Sequence, residues 1–159
     1  MQCGYLPGSI GRVGELHGVY YHAQWGFPRF FEAKVVTELA AFLERYDPAR
    51  DAFWTVSLAG RVEGSVTIDA VQAESEGAHL RWFIMSDALR GRGVGGQLIG
   101  TAVEFCRARN YPSIYLWTFE GLDAARHLYE KAGFTLALQQ EGSQWGTTVN
   151  EQRFELQLR

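Results

Sequence analysis

The sequence predicts a single-domain α/β fold with a mixed β-sheet. Stripes of apolar residues at helical spacing alternate with strand-like runs along the 159 residues. A hairpin pattern lies in the first half and a strand-helix-strand unit in the second, a combination that produces both antiparallel and parallel strand pairs. Because no repeat or low-complexity tract divides the chain, we expect one domain over residues 1–159, large enough for its own core.

The first third of the chain has one clear helical signal. Glycines at positions 11, 14 and 18 predict a short strand and turn over Ile10–Val19, followed by an aromatic loop or short helix over Tyr20–Pro28. From Phe30 to Tyr46 the apolar residues recur at helical spacing, and Pro48 ends the pattern by restricting the residue before it.

The middle of the chain predicts three strands. Phe53–Leu58 and Val62–Ile68 are separated by a short connection containing Gly60, which is typical of an antiparallel hairpin. A polar loop then leads into a further strand, Ala78–Met85. The order of these runs predicts an antiparallel meander before the centre of the chain.

The second half alternates helices and strands. The helical stripe that starts near Leu98 and ends at Arg109 precedes the strand Ile114–Thr118, and a second stripe from Leu122 to Ala132 is stopped by a glycine. The closing strands are predicted at 134–139 and 149–158.

Composition limits the location and the partners. The formal net charge of −3 gives no general attraction for nucleic acid, and no apolar run approaches the length of a membrane span. Cys3 and Cys106 have no metal-type or redox-type spacing, and the start lacks the pattern of a secretory signal. We therefore expect a cytoplasmic protein with no nucleic-acid partner, no membrane association and no metal.

The segment from Arg90 to Gly96, Arg-Gly-Arg-Gly-Val-Gly-Gly, lies between a predicted strand and a predicted helix. Glycines let a backbone approach a phosphate closely, and free N–H groups together with the helix dipole favour an anion. Arg90 and Arg92 add positive charge. The sequence therefore predicts a phosphate-binding turn.

Three other interpretations of this turn are open. Gly91, Gly93 and Gly96 match the dinucleotide fingerprint, with Glu120 near the end of the next strand, but the motif comes late and too little chain follows for further βαβ units. A nucleotide-triphosphate loop would need lysine where Gln97 stands. The turn could also be a plain connection, which the two arginines disfavour.

Two motifs resemble those of the GNAT superfamily of N-acetyltransferases. Arg90–Gly95 is similar to its Arg/Gln-x-x-Gly-x-Gly/Ala signature, and Ala125–Phe134 is similar to its Ala-x-x-Leu-Tyr-x-x-x-Gly-Phe segment. Leu80–Phe83, Tyr115–Thr118 and Glu151–Leu156 further resemble acetyltransferase domains often fused to winged-helix regulators of the multiple-antibiotic-resistance type. No such DNA-binding domain is recognised in this sequence.

The resemblance implies a fold, a donor and a reaction. The fold would be a mixed, mostly antiparallel sheet of about seven strands with splayed central strands and flanking helices. The activity would be transfer of an acetyl group from acetyl-CoA to a primary amine of a small molecule or peptide by direct attack in a ternary complex. The alternative is a non-catalytic acyl-CoA-binding regulatory module. Homodimers are frequent in that superfamily, which makes a homodimer possible, although the sequence itself does not indicate the oligomeric state.

The resemblance also implies roles for individual residues. Phe83, Ile84 and Met85 would present backbone to pantetheine, and the pyrophosphate would be held by the turn, namely Arg90, Gly91, Arg92, Gly93, Val94, Gly95 and Gly96. Tyr129 would donate to the departing thiolate. Leu122 stands where many members carry asparagine, which puts one hydrogen bond to the cofactor in doubt.

The acceptor side has weaker signals. We expect His79 to be the general base, because it occupies the place of a catalytic glutamate of some members and by strand alternation would share a face with Arg81, Phe83 and Met85. The residues expected to border the acceptor cleft, or else to cap the core, are His17, Tyr21, Trp25 and Glu32.

Overall fold

A computed structural model describes all residues, 1–159, as one seven-stranded sheet with four α-helices. The strands are β1 (Gln2–Cys3), β2 (Ala52–Leu58), β3 (Arg61–Asp69), β4 (Ala78–Met85), β5 (Ser113–Phe119), β6 (Thr135–Gly142) and β7 (Val149–Gln157). The helices are α1 (Ser9–Trp25), α2 (Arg29–Glu44), α3 (Val94–Ala108) and α4 (Asp123–Lys131), with a 3₁₀ turn at Asp87–Leu89. None of the helices is both long and apolar enough to cross a bilayer.

The sheet has the order β1-β2-β3-β4-β5-β7-β6, and every neighbouring pair is antiparallel except the central pair β4 and β5. These two parallel strands pair only at Ala78 with Ile114 and at His79 with Tyr115. Beyond those pairs they separate, while β5 stays paired with β7 through Phe119. The predicted mixed, mostly antiparallel sheet with splayed central strands is confirmed.

Two apolar cores lie on opposite faces of this sheet. One packs α3 and α4 against the strands, with Leu98, Ile99 and Tyr129 among its buried side chains. The other packs α1 and α2 against the opposite face and includes Phe42 and Phe119. Because helices pack on both faces of the sheet, the gap between β4 and β5 lies between two layers of helices.

The N-terminal prediction was wrong, because Ile10–Val19 and the aromatic segment after it form one helix, α1, of 17 residues. The glycines that indicated a strand and turn have a packing role. A Cβ at Gly14 would collide with the side chain of Val36, and a Cβ at Gly18 would collide with Glu32, both on α2. Their absence lets two helices approach closely, so tertiary contact outweighs the low helix propensity of glycine.

The remaining elements follow the predictions to within a few residues. The hairpin turns at Ala59 and Gly60, both with positive φ (52° and 78°), which is the geometry that joins two antiparallel strands through a two-residue loop. β4 has the predicted bounds, and the closing strands are β6 and β7. The two-residue edge strand β1 was not predicted, since so short a run carries no periodicity.

Candidate active site

Two cavities open into the gap between β4 and β5. One, of about 750 Å³, runs from the end of β4 to the glycine turn and α4, and we name it the donor cavity. The other, of about 330 Å³, lies between the sheet and helices α1 and α2, and we name it the acceptor cavity. The side chains that line both of them are Tyr21, Phe83, Leu122 and Tyr129.

A β-bulge at Trp82 shapes the junction of the cavities. Ser65 pairs with Ile84 and Thr67 pairs with Arg81, so Trp82 and Phe83 face one residue of β3, and Trp82 has a φ of 47°. The Ser65 hydroxyl donates to the Trp82 carbonyl at 2.7 Å.

The bulge reverses which side chains of β4 face each core. Trp82 lies in the core beside α1 and α2, whereas Phe83 and Met85 pack against the core beside α3 and α4. Arg81 pairs with Glu38 on α2 and so lies on the opposite face from Phe83. The prediction that His79 and Arg81 share a face with Phe83 and Met85 was therefore wrong, since simple alternation fails across a bulge.

The donor cavity is rich in free backbone donors. None of the N–H groups from Gly91 to Gly96 donates to another group of the protein. Helix α3 begins at Val94, after Gly93, and no side chain caps it. Unpaired N–H groups at the start of a 15-residue helix attract an anion.

The glycines of the turn differ in what requires them. Gly91 and Gly93 have a φ of 72°, a conformation that other residues rarely adopt. A Cβ on Gly95 would lie 2.8 Å from both Leu128 and Met85, so this glycine allows α3 to approach α4 and β4. A Cβ on Gly96 would have no atom within 4 Å, so this glycine leaves open space beside the turn.

The two arginines of the turn also differ. Arg90 lines the donor cavity, although its Nε pairs with Asp87 Oδ1 at 2.9 Å in an exposed ion pair. Arg92 is exposed and is the one residue of the predicted turn that does not line this cavity. The predicted β4 residues Phe83, Ile84 and Met85 all line it.

Tyr129 lies on α4 where the two cavities meet. The residue is 6% exposed, and its ring packs 6.0 Å from that of Phe83 and 6.2 Å from that of Phe134, measured between ring centroids. Burial raises the pKa of its hydroxyl, so the phenol stays protonated at pH 7. Leu122, at the start of α4, supplies only an apolar surface to both cavities.

Two histidines line the acceptor cavity. His79 stacks on Tyr115 at a centroid distance of 4.4 Å, and burial together with the charges of Arg81 and Arg153 lowers its pKa to about 3. His17 holds the Val13 carbonyl with Nδ1 at 2.8 Å, and burial lowers its pKa to about 4. Both imidazoles are therefore neutral at pH 7.

Of the other residues expected at the acceptor cleft, one lines a cavity and two do not. Tyr21 lines both cavities, whereas Trp25 and Glu32 line neither. Two charged side chains of α2, Lys34 and Glu38, line the acceptor cavity and were not predicted as site residues. Their separation of four residues on one helix was the available signal, but only the fold shows that this face borders a cavity.

No group of three or more histidine, cysteine, aspartate or glutamate side chains is arranged to hold a metal ion. The chemistry that this arrangement can support is binding of an anion by the backbone N–H groups of the glycine turn, hydrogen-bond donation by the Tyr129 hydroxyl and proton exchange at a histidine in an aromatic cavity.

Comparison with known proteins agrees with this geometry. The model of the acetyltransferase (GNAT) family matches residues 12–134. A search of the curated proteins returned no match.

Several solved structures share the fold at low sequence identity. Ribosomal-protein-alanine N-acetyltransferase from Brucella melitensis is 13% identical with a TM-score of 0.76, over 99% of this chain and 100% of that one. The protein yncA from Salmonella typhimurium, solved with its cofactor acetyl-CoA, is 16% identical with a TM-score of 0.70, over 100% and 94%. A spermidine N-acetyltransferase chimera from Vibrio cholerae and human sequences is 18% identical with a TM-score of 0.68, over 99% and 97%.

Proposed function

Because this chain belongs to the acetyltransferase (GNAT) family, we propose that it transfers an acetyl group from acetyl-CoA to a primary amine of a small molecule or peptide. The observation that carries the proposal is the pair of cavities that share Phe83 and Tyr129. One cavity ends at a run of free N–H donors and the other is lined by aromatic side chains, so a donor and an acceptor can meet between them.

The donor cavity has the features that coenzyme A requires. The free N–H groups of Gly91–Gly96 and the start of α3 would hold the pyrophosphate, with Arg90 adding charge. Arg92 would contribute only long-range attraction from the surface. The edge of β4 that faces the gap, from Phe83 to Met85, has no partner on β5 and would pair with the pantetheine amides.

Acetyl-CoA supplies a thioester carbonyl as the acyl donor. A backbone N–H of the Phe83–Met85 segment would stabilise the oxyanion that develops when the amine attacks. The new bond joins the amine nitrogen to the carbonyl carbon, and the carbon–sulfur bond breaks. Tyr129 would donate a hydrogen bond to the departing sulfur, which replaces complete proton transfer, since that transfer from a buried phenol is uphill.

The amine must lose a proton, and His79 is our proposed acceptor for it. With a pKa lowered to about 3, the imidazole cannot hold the proton at pH 7. A neutral ring can still accept at one nitrogen while releasing from the other, so the role proposed for His79 is a proton relay toward solvent.

The test measures donor binding and turnover separately. We expect acetyl-CoA to raise the Tm of the protein and NAD to leave it unchanged, because the turn is followed by a GNAT site and by no dinucleotide domain. Release of CoA is then followed with a panel of primary amines. Binding without any amine-dependent release would favour the regulatory module, and stabilisation by NAD instead would contradict the proposal.

Three expectations remain predictions. A homodimer is tested by sedimentation of the pure protein, and the cytoplasmic location by fractionation of cells that express it. The likeness to acetyltransferase domains fused to winged-helix regulators is a further proposal about kinship, and it carries no expectation that the protein associates with such a regulator.

A further inference from the structure

We propose that the acceptor amine also carries an acid group, as an amino acid does, a conclusion that rests on the acetyl transfer proposed above. The basis is a row of charges along the acceptor cavity. Lys34 Nζ lies 3.0 Å from Glu38 Oε1, and Arg81 Nη2 lies 3.0 Å from Glu38 Oε2. One carboxylate therefore serves two cations, and it is the only acidic side chain that lines the cavity.

A second carboxylate nearby, that of Asp69, does not remove this excess of positive charge. Asp69 Oδ2 is 3.6 Å from Arg81 Nη1, but both of its oxygens accept hydrogen bonds from Arg45, at 3.0 and 2.6 Å. The row Arg45, Asp69, Arg81, Glu38, Lys34 thus holds three cations and two carboxylates. The neutral histidines of the cavity add no charge at pH 7.

Two of these three cations, Arg81 and Lys34, line the acceptor cavity, where a ligand can reach them, whereas Arg45 does not. Arg81 is 21% exposed and its guanidinium rests 4.1 Å from the ring of Trp82, which fixes its plane. Lys34 is 28% exposed. Aromatic walls reduce the screening of charges in the cavity, so an acid group that joins these cations gains more there than in bulk water. An acceptor with only ammonium groups would be repelled.

The position of these cations also limits the distance between acid and amine. Although the bulge at Trp82 turns the Arg81 and Phe83 side chains to different faces of β4, Arg81, Phe83 and Tyr129 all line the acceptor cavity. An acid group bound near Arg81 can therefore belong to the same small molecule as an amine near Phe83 and Tyr129. The aromatic lining of the cavity favours an apolar side chain on that molecule.

The experiment compares matched acceptors with matched variants. Phenylalanine, its amide and phenethylamine are assayed for CoA release, and their binding to the CoA complex is measured by calorimetry. We expect the acid to bind at least about tenfold more tightly than the other two. Lys34→Gln should reduce this preference severalfold, and Glu38→Gln should increase it. Lys131→Gln removes the only other lysine, which is exposed and lines neither cavity, and should change nothing.

Each outcome decides one of the two proposals. A preference for the acid that falls in Lys34→Gln and not in Lys131→Gln supports the anionic acceptor. Equal or better use of phenethylamine or of the amide overturns this inference and leaves acetyl transfer intact. Binding of the acid without release of CoA from acetyl-CoA for any amine contradicts the transfer and not the anion preference, because calorimetry reports binding without turnover.

Discussion

Tyr129 can be tested by removing a single oxygen atom. A Tyr129→Phe variant keeps the ring that packs against Phe83 and Phe134 but loses the donor at the junction of the cavities. We expect kcat to fall about 100-fold and the Kd for acetyl-CoA to change less than about twofold. Steady-state kinetics and calorimetry measure the two quantities.

The matched control is Tyr111→Phe. The Tyr111 hydroxyl donates to the Arg50 carbonyl at 2.8 Å, away from both cavities. Its loss should lower the free energy of unfolding by about 1 kcal/mol and leave kcat unchanged. If Tyr129→Phe retains full turnover, Tyr129 has no part in the chemistry.

His79→Gln tests the proposed relay through the shape of a pH profile. Because the pKa of His79 is lowered to about 3, its charge does not change between pH 6 and 9. The variant should therefore lose about tenfold or more in kcat at every pH of this range, with both limbs of the profile unmoved. An acidic limb that disappears in the variant would show that His79 titrates there and would contradict the relay.

His17 makes stability depend on pH. In the unfolded chain its pKa is near 6.5, and burial lowers the pKa in the folded chain to about 4. Between these values only the unfolded chain binds the proton, so the free energy of unfolding decreases as the pH falls from 6.5 toward 4. The contribution of His17 to this slope approaches about 1.4 kcal/mol per pH unit, and His79, with its pKa lowered to about 3, adds a similar contribution that remains when His17 is replaced.

Replacing His17 by leucine should reduce that slope, measured by urea unfolding at pH 4.5, 5.5 and 6.5. His127→Leu is the matched control, because His127 is exposed on α4 and keeps its hydration on folding. An unchanged slope in His17→Leu would mean that another group causes the acid sensitivity.

At the scale of elements, the glycine turn depends on a left-handed residue before α3. Gly93 has a φ of 72°, and an alanine there costs about 1 kcal/mol or more unless the turn moves. A moved turn misdirects the N–H groups that follow. We expect Gly93→Ala to raise the Kd for acetyl-CoA about tenfold.

Gly100→Ala is the control for the same helix. Position 100 lies within α3 with no atom within 4 Å of an added Cβ, so alanine should stabilise the helix by about 0.5–1 kcal/mol. Its Kd for acetyl-CoA should match that of the unchanged protein. If Gly93→Ala, Gly100→Ala and the unchanged protein have equal Kd values for acetyl-CoA, the turn takes no part in donor binding.

The elements also show what sequence could and could not predict. Strands and helices with regular apolar periodicity, such as α2 and β4, were predicted with nearly correct bounds. Helix α1 was missed because Gly14 and Gly18 serve contacts with α2, and such contacts leave no periodic signal. The bulge at Trp82 was missed for a related reason. It depends on the register between two strands, and strand alternation assumes that register to be unbroken.

At the scale of the molecule, the site exists because the two halves of the sheet are joined by very little strand pairing. Strands β1 to β4 form one half and β5 to β7 the other, and only two residue pairs join the halves. The two motifs drew attention to the glycine turn and to α4, whose residues line the donor cavity, since each motif is local in sequence. They could not predict the charges of the acceptor cavity, because Arg81 meets the Lys34–Glu38 pair of α2 only after that helix packs against β4.

The joint between the halves, meaning the pairs Ala78–Ile114 and His79–Tyr115, should therefore control both the free energy of unfolding and the binding of acetyl-CoA. Tyr115 lies at the last paired position, stacked 4.4 Å from His79 and covered by the Arg153 guanidinium at 4.0 Å. Tyr115→Ala removes both contacts and should lower the free energy of unfolding by about 2–4 kcal/mol. Because a loosened joint widens the gap that holds the donor, the KM for acetyl-CoA should rise together with this loss of stability.

The control is Tyr5→Ala, because Tyr5 is exposed and lies outside both cavities. It should change neither the free energy of unfolding, measured with urea, nor the KM for acetyl-CoA. A destabilised Tyr115→Ala protein with unchanged KM would show that the gap is held by the packing of the helices and not by the joint.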